Sequence, residues 1–137
     1  MTIANDDLIN AATQARRNAY NRYSNYSVGA ALVDDRGHLH VGCNIENAAY
    51  PLGSCAEAGA IAAMVQQGGR RIVKIAVVGG SDEIGSCTPC GGCRQRISEF
   101  ADGETVILAI DDSGDWQEYS IADLLPASFR LPQAQLT

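Results

Sequence analysis

The sequence has no excess of basic residues, no membrane-length apolar run, no N-terminal leader pattern and no internal repeat. Ten Lys and Arg stand against sixteen Asp and Glu, a formal net charge of -6. A chain that grips a phosphate backbone carries a basic face, so no nucleic-acid partner is expected and a small neutral ligand suits this charge better. No apolar stretch approaches the roughly 20 residues needed to cross a bilayer, so no membrane partner is expected either. Met1-Thr2-Ile3-Ala4-Asn5-Asp6-Asp7 lacks a basic region followed by an apolar one; we therefore expect no signal peptide and a cytoplasmic location. No linker or low-complexity tract divides the 137 residues, which are expected to form one domain, 1–137.

What is present reads as an ordinary globular chain, 46% hydrophobic and 19% charged. Five cysteines are an odd number, and three of them fall between positions 87 and 93. Without an export signal that crowding favours metal over disulfides.

Periodicity predicts a first helix, capped by Asn5 or Thr2 and running to about Tyr20, with Leu8, Ile9, Ala12, Ala15 and Ala19 at helical spacing. Val28–Val33 and Leu39–Ile45 read as a hairpin about the turn Asp34-Asp35-Arg36-Gly37. Cys55–Gln67 reads as a helix stopped by Gly68-Gly69, and Ile72–Val78 as a strand buried on both faces. Cys90–Phe100 should be helix, Thr105–Ile110 strand, Gln117–Ser120 a weaker strand and Ile121–Leu125 a short helix. A hairpin followed by helix, strand, helix and strand gives an α/β fold, a mixed five-stranded sheet with helices on both faces.

The chemistry concentrates in Pro89-Cys90-Gly91-Gly92-Cys93 and Cys55-Ala56-Glu57. Cysteines at a helix start meet unpaired N–H groups and the positive end of the helix dipole, which favour thiolate. Three thiolates can hold one Zn2+ and leave its fourth position to water, the layout of a catalytic site. A closed four-cysteine knot with Cys87 is the bland alternative, but it gives no reason for the acid two residues after Cys55. Cys87 and Cys43 then default to packing. Glu57 alone would pass as a first-turn acid; beside thiolates whose charge outweighs the zinc it favours protonation and becomes a candidate proton shuttle. Asn44 and Glu46 share a strand face and suit a sugar hydroxyl, with plain strand-end solvation as the alternative. His38 and His40 read as a solvated hairpin face, and Asp111, Asp112 and Asp115 as a turn.

At these motifs, together with Tyr23-Ser24-Asn25-Tyr26-Ser27-Val28-Gly29, Gly42-Cys43-Asn44-Ile45-Glu46-Asn47 and Leu124-Leu125-Pro126-Ala127-Ser128-Phe129, the chain resembles the small homotetrameric cytidine deaminases of nucleoside salvage. The likeness runs from about Leu8 to Phe129. It implies a three-layer α/β/α sandwich and hydrolytic deamination of cytidine and deoxycytidine. It implies Cys55, Cys90 and Cys93 as zinc ligands and Glu57 as catalytic proton shuttle. Asn44 and Glu46 would bind ribose, Tyr26 would line the pocket, and Ala56 and Thr88 would meet the pyrimidine through their backbone. Phe129 would reach a neighbouring subunit, and the assembly would be a homotetramer. Where the family usually has Arg after its glutamate, this chain has Ala58, and Arg96 stands where the family is usually apolar. We expect Arg96 to replace the missing guanidinium, with Arg94 or Arg96 offsetting thiolate charge. Ala58 also keeps open a deaminase of modified cytosine nucleosides or of blasticidin-type antibiotics.

Overall fold

The protein is described by a computed structural model covering residues 3–132. Its elements follow in the order α1 (Asn5–Arg16), β1 (Ser27–Asp34), β2 (Leu39–Cys43), α2 (Ala56–Gln66), β3 (Ile72–Gly80), α3 (Gly91–Glu99), β4 (Val106–Ile110), β5 (Trp116–Tyr119) and α4 (Ile121–Leu124), with a 3-10 turn at Tyr50–Leu52. The five strands make one sheet in the order β2-β1-β3-β4-β5. Among the described strands only β3 and β4 pair in parallel; β1 pairs antiparallel with both β2 and β3, and β4 with β5. The expected mixed sheet is therefore present.

Each face of the sheet buries its own cluster. On one side Leu8 and Ala12 of α1 pack on Ala31, Val33, Ala76, Val78 and Leu108. On the other Ala56, Ala60, Ile61 and Met64 of α2 and Ile97 of α3 pack on Ala30, Leu32, Ile75, Val77 and Ile107. Helices on both faces make three layers, and alternate residues of β1 and β3 feed the two clusters, the period-2 logic of a strand. The close fit of α2 needs Gly42: a Cβ there would stand 2.5 Å from Ala60 N and closer still to Ala56 O. Among the described residues no helix is long and apolar enough to cross a membrane.

Several boundaries differ from the sequence reading. α1 starts at Asn5 but ends at Arg16, not Tyr20, and its N-cap is Ala4, with no side-chain cap. Asn5 is turned to the sheet instead, donating to Glu118 Oε2 at 2.9 Å and accepting from Lys74 Nζ at 2.6 Å. Thr2, the other candidate cap, lies outside the described residues. Arg16 leaves the helix to clamp strand ends, donating to Ser27 O at 3.0 Å and, through Nη2, to Gly80 O and Ser81 O at 2.7 and 2.8 Å. β2 stops at Cys43, because Asn44 O then accepts from Tyr20 N and Ile45 bridges Ser54.

His40 is the clearest correction. The sequence reading puts it on a solvated face, whereas only 4% of it is exposed and its Nε2 lies 2.8 Å from Asp34 Oδ2. Its partner across the ladder is Leu32, so it shares the covered face. Asp34, itself 1% exposed, also accepts from the Arg36 and His38 N–H groups at 2.9 and 3.0 Å. His38 is exposed, as expected.

Candidate metal centre and substrate pocket

Two helix starts converge at one end of the sheet. Cys55 and Cys90 are the N-caps of α2 and α3, and Cys93 is in the first turn of α3. The Sγ atoms of all three lie within 4.8 Å of one another, and Cys55 Sγ is 4.0 Å from Cys90 Sγ. Zn–S bonds of about 2.3 Å in a tetrahedron place sulfurs about 3.8 Å apart, so this donor set fits the ion. Electrostatics points the same way. Burial pushes the thiols of Cys55 and Cys93 up, Cys93 further through the charge of Glu57, while hydrogen bonds from the Cys93 backbone and neighbouring thiols bring Cys90 down. Three sulfurs so close cannot all ionise without a cation among them. Cys87 is not in the cluster; it packs against the core and also lines the neighbouring cavity.

Cys55 and Cys90 border a cavity of about 560 Å³, with the buried Cys93 behind them. Tyr26, Asn44, Glu46, Ala56, Glu57 and Thr88 all line it, with Cys55 and Cys90. Glu57 is 3% exposed, and burial raises its carboxyl above the ordinary range despite hydrogen bonds from its own N–H and Cys93 and the positive charge of Arg96. Ala56 opens α2, where first-turn N–H groups have no partner inside the helix.

Tyr26 is 36% exposed, yet its hydroxyl is turned inward onto Cys87 beside Gly79. Burial of that hydroxyl and its hydrogen bond to Cys87 push the phenol up to about 12. Asn44 Oδ1 accepts from Val28 N at 2.8 Å and Nδ2 donates to Tyr26 O at 2.9 Å. Glu46 Oε1 accepts from Tyr23 N at 2.9 Å and Ser24 N at 3.1 Å, and Oε2 accepts from the Ser24 hydroxyl. Ser24 therefore belongs to the site although it stood in the sequence only as part of a motif.

The two arginines differ. Arg96 Nη1 donates to Cys93 Sγ at 3.6 Å. Arg94, the other candidate for that task, bonds elsewhere. Its Nε donates to Pro89 O at 2.7 Å, Nη1 to Leu124 O at 3.0 Å and Nη2 to Thr88 Oγ1 at 3.2 Å. A guanidinium at that point of α3 meets two uncapped carbonyls before it meets a sulfur, and so holds the loop before Cys90 against α4. Gln95 Nε2 likewise donates to Phe129 O at 3.0 Å. Phe129 does not line the cavity and is 70% exposed. Ala58 is also absent from the cavity wall; it lies in a groove between α2 and α3 with Arg96.

A family model of the cytidine and deoxycytidylate deaminase zinc-binding region matches residues 3–109. The cytidine deaminase of Sporosarcina psychrophila is 42% identical over 124 residues, 90% of this chain and 90% of its own length. That of Halalkalibacterium halodurans is 43% identical over 122 residues, 89% of this chain and 91% of its own. A crystal structure of cytidine deaminase from Burkholderia pseudomallei superposes with a TM-score of 0.83 at 41% identity, covering 93% of this chain and all of that one. The Mycobacterium tuberculosis enzyme gives 0.82 at 36%, covering 95% of this chain.

Proposed function

The chain belongs to the cytidine and deoxycytidylate deaminase family, and on that premise we propose that it hydrolyses cytidine and deoxycytidine to uridine and deoxyuridine in pyrimidine salvage. The observation that carries this reading is the meeting of three cysteine sulfurs within 4.8 Å beside a buried carboxyl at the wall of one cavity. Cys55, Cys90 and Cys93 would hold Zn2+, which as a Lewis acid supplies a water nucleophile at neutral pH.

The other steps belong to the chain's own residues. Glu57 takes the proton of the attacking water and delivers it to N3 of the base. The water oxygen bonds to C4, a second proton passes through Glu57 to the amine, and ammonia leaves as the carbonyl forms. A carboxyl raised by burial suits an acid that both accepts and returns protons near neutrality. The Ala56 N–H and the Thr88 carbonyl orient the pyrimidine, and Asn44 and Glu46 hold a sugar hydroxyl. Tyr26 walls the base. Orientation of this kind is itself a rate term. Arg96 offsets thiolate charge, the part that Ala58 cannot play.

A homotetramer is part of the proposal. Tyr50, at the cavity wall, and Leu52 and Phe129 elsewhere on the surface are 77, 71 and 70% exposed, and large exposed apolar side chains favour a covering partner; Phe129 would reach a neighbouring copy's pocket. For the antibiotic-deaminase alternative, Ala58 lines an outer groove and not the cavity, so the substrate panel decides between the two.

The test is an ultraviolet deamination assay on zinc-loaded protein with cytidine, deoxycytidine, 5-substituted cytidines and blasticidin. Turnover of the first two is expected. Turnover of blasticidin alone, or of none, would overturn the reading.

A further inference from the structure

Glu46 is held by its neighbours before any substrate arrives. The N–H groups of Tyr23 and Ser24 both donate to Oε1, and the Ser24 hydroxyl donates to Oε2. An ionised carboxylate offers about four acceptor positions. Three are filled, and the remaining one is on Oε2, the oxygen that Ser24 orients. Asn44 is committed in the same way: one amide hydrogen goes to Tyr26 O and one Oδ1 lone pair to Val28 N. That leaves Asn44 one free donor, on Nδ2, and one unused lone pair on Oδ1. A free donor and a free acceptor side by side at the cavity wall match a single hydroxyl, which accepts from one and donates to the other.

Ser24 owes its placement to the backbone. Asn25 adopts φ 59°, the left-handed region that asparagine tolerates better than most residues. Asn25 N donates to Asn21 O at 2.9 Å, and Tyr26 N donates to Ser24 Oγ at 3.0 Å. The Ser24 hydroxyl thus accepts from the residue that walls the base while donating to Glu46. It also lines a second space of about 330 Å³ that shares Glu46, Tyr50 and Gly53 with the main cavity.

We propose that Ser24 is a positioning residue for the sugar end of the substrate, aiming the one free acceptor of Glu46 at a single sugar hydroxyl. The proposal rests on the reading of Asn44 and Glu46 as the sugar-binding pair. Loss of the Ser24 hydroxyl leaves Tyr26 anchored through Asn44, so the defect stays at the sugar and spares the base.

The test compares cytidine with 2′,3′-dideoxycytidine, which has no ring hydroxyl to hold. Ser24→Ala is expected to raise KM for cytidine about tenfold with kcat within about twofold, the size of one hydrogen bond to a charged group. Its kcat/KM for the dideoxy substrate should change by less than about twofold, since two deletions of one interaction do not add. Zinc content should match wild type, and Ser24→Thr should recover most of the lost affinity. An equal loss on both substrates, or no loss on cytidine, overturns the proposal. A wild-type protein inert on cytidine overturns the deaminase reading first, and this inference falls with it.

Discussion

Arg96 Nη1 lies 3.6 Å from Cys93 Sγ, across one turn of α3. The sulfur it meets is the buried one of the three, the one least able to carry charge unaided. Hydrogen bonds to metal-bound ligands commonly change metal affinity 10- to 100-fold, roughly. Arg96→Val should therefore speed zinc loss to a chelator by at least about tenfold and displace the pH–rate profile. Unchanged retention and an unchanged profile would remove Arg96 from the metal centre.

Glu57→Gln keeps the shape of a side chain that is 3% exposed but cannot take a proton. Zinc content and uridine binding should persist while kcat falls by about 10²- to 10⁴-fold, the usual worth of a positioned acid–base group. Near-native turnover in the metal-loaded variant would assign the proton transfers elsewhere.

Asp34 makes a pH prediction. Burial alone would raise its carboxyl, but the His38 N–H, His40 and the Arg36 N–H outweigh burial and hold it well below the usual range. A depressed folded-state value means stability that is fully present above the unfolded value, near pH 4, and lost as pH falls below it. Asp34→Asn should lower the urea midpoint at pH 7 and flatten its decline below about pH 4. Acid also strips thiolate-bound metal, so both proteins are compared after chelation. An equally steep acid limb in the variant would refute the assignment.

Asn25 tests the turn that carries Ser24. Asn25→Gly should cost at most a few tenths of a kcal/mol, whereas Asn25→Val should cost about 1–2 kcal/mol and raise KM for cytidine. Urea unfolding and steady-state kinetics read both quantities; equal behaviour of the two variants would mean that the left-handed backbone does not matter.

Gly42→Ala probes the contact that seats α2. The added methyl meets the backbone of Ala56 and Ala60, so it cannot be absorbed by a rotamer change, and α2 must move with Cys55 at its start. Zinc content per chain should fall along with thermal stability; full metal loading in a stable variant would show that α2 can shift without disturbing its cysteine.

The sheet and the meeting of the cysteines were legible because they are local. β-branched runs announced β3 and β4, alanine-rich periodicity announced α2, and Cys55 and Cys90 sit where helix starts bring donors together. Arg96 was legible as a candidate from its spacing to Cys93. The choice between Arg94 and Arg96 was not legible, because the partners of Arg94 are the carbonyls of Pro89 and Leu124, which carry no sequence signal. His40 was misassigned because its partner, Asp34, looked like the first residue of an ordinary turn. In the folded chain that aspartate points inward and meets four partners, the Arg36 and His38 N–H groups, the Arg36 guanidinium and the His40 ring. Ser24 was overlooked for a related reason: only a left-handed residue after it turns its hydroxyl toward Glu46.

β1 runs from Ser27, next to Tyr26, to the buried Asp34, a span of roughly 25 Å. The pocket occupies one end of that strand and the aspartate–histidine lock the other. Hardening the protein against acid or heat can therefore begin around Arg36, far enough from the reacting atoms that variants there can be selected for durability alone.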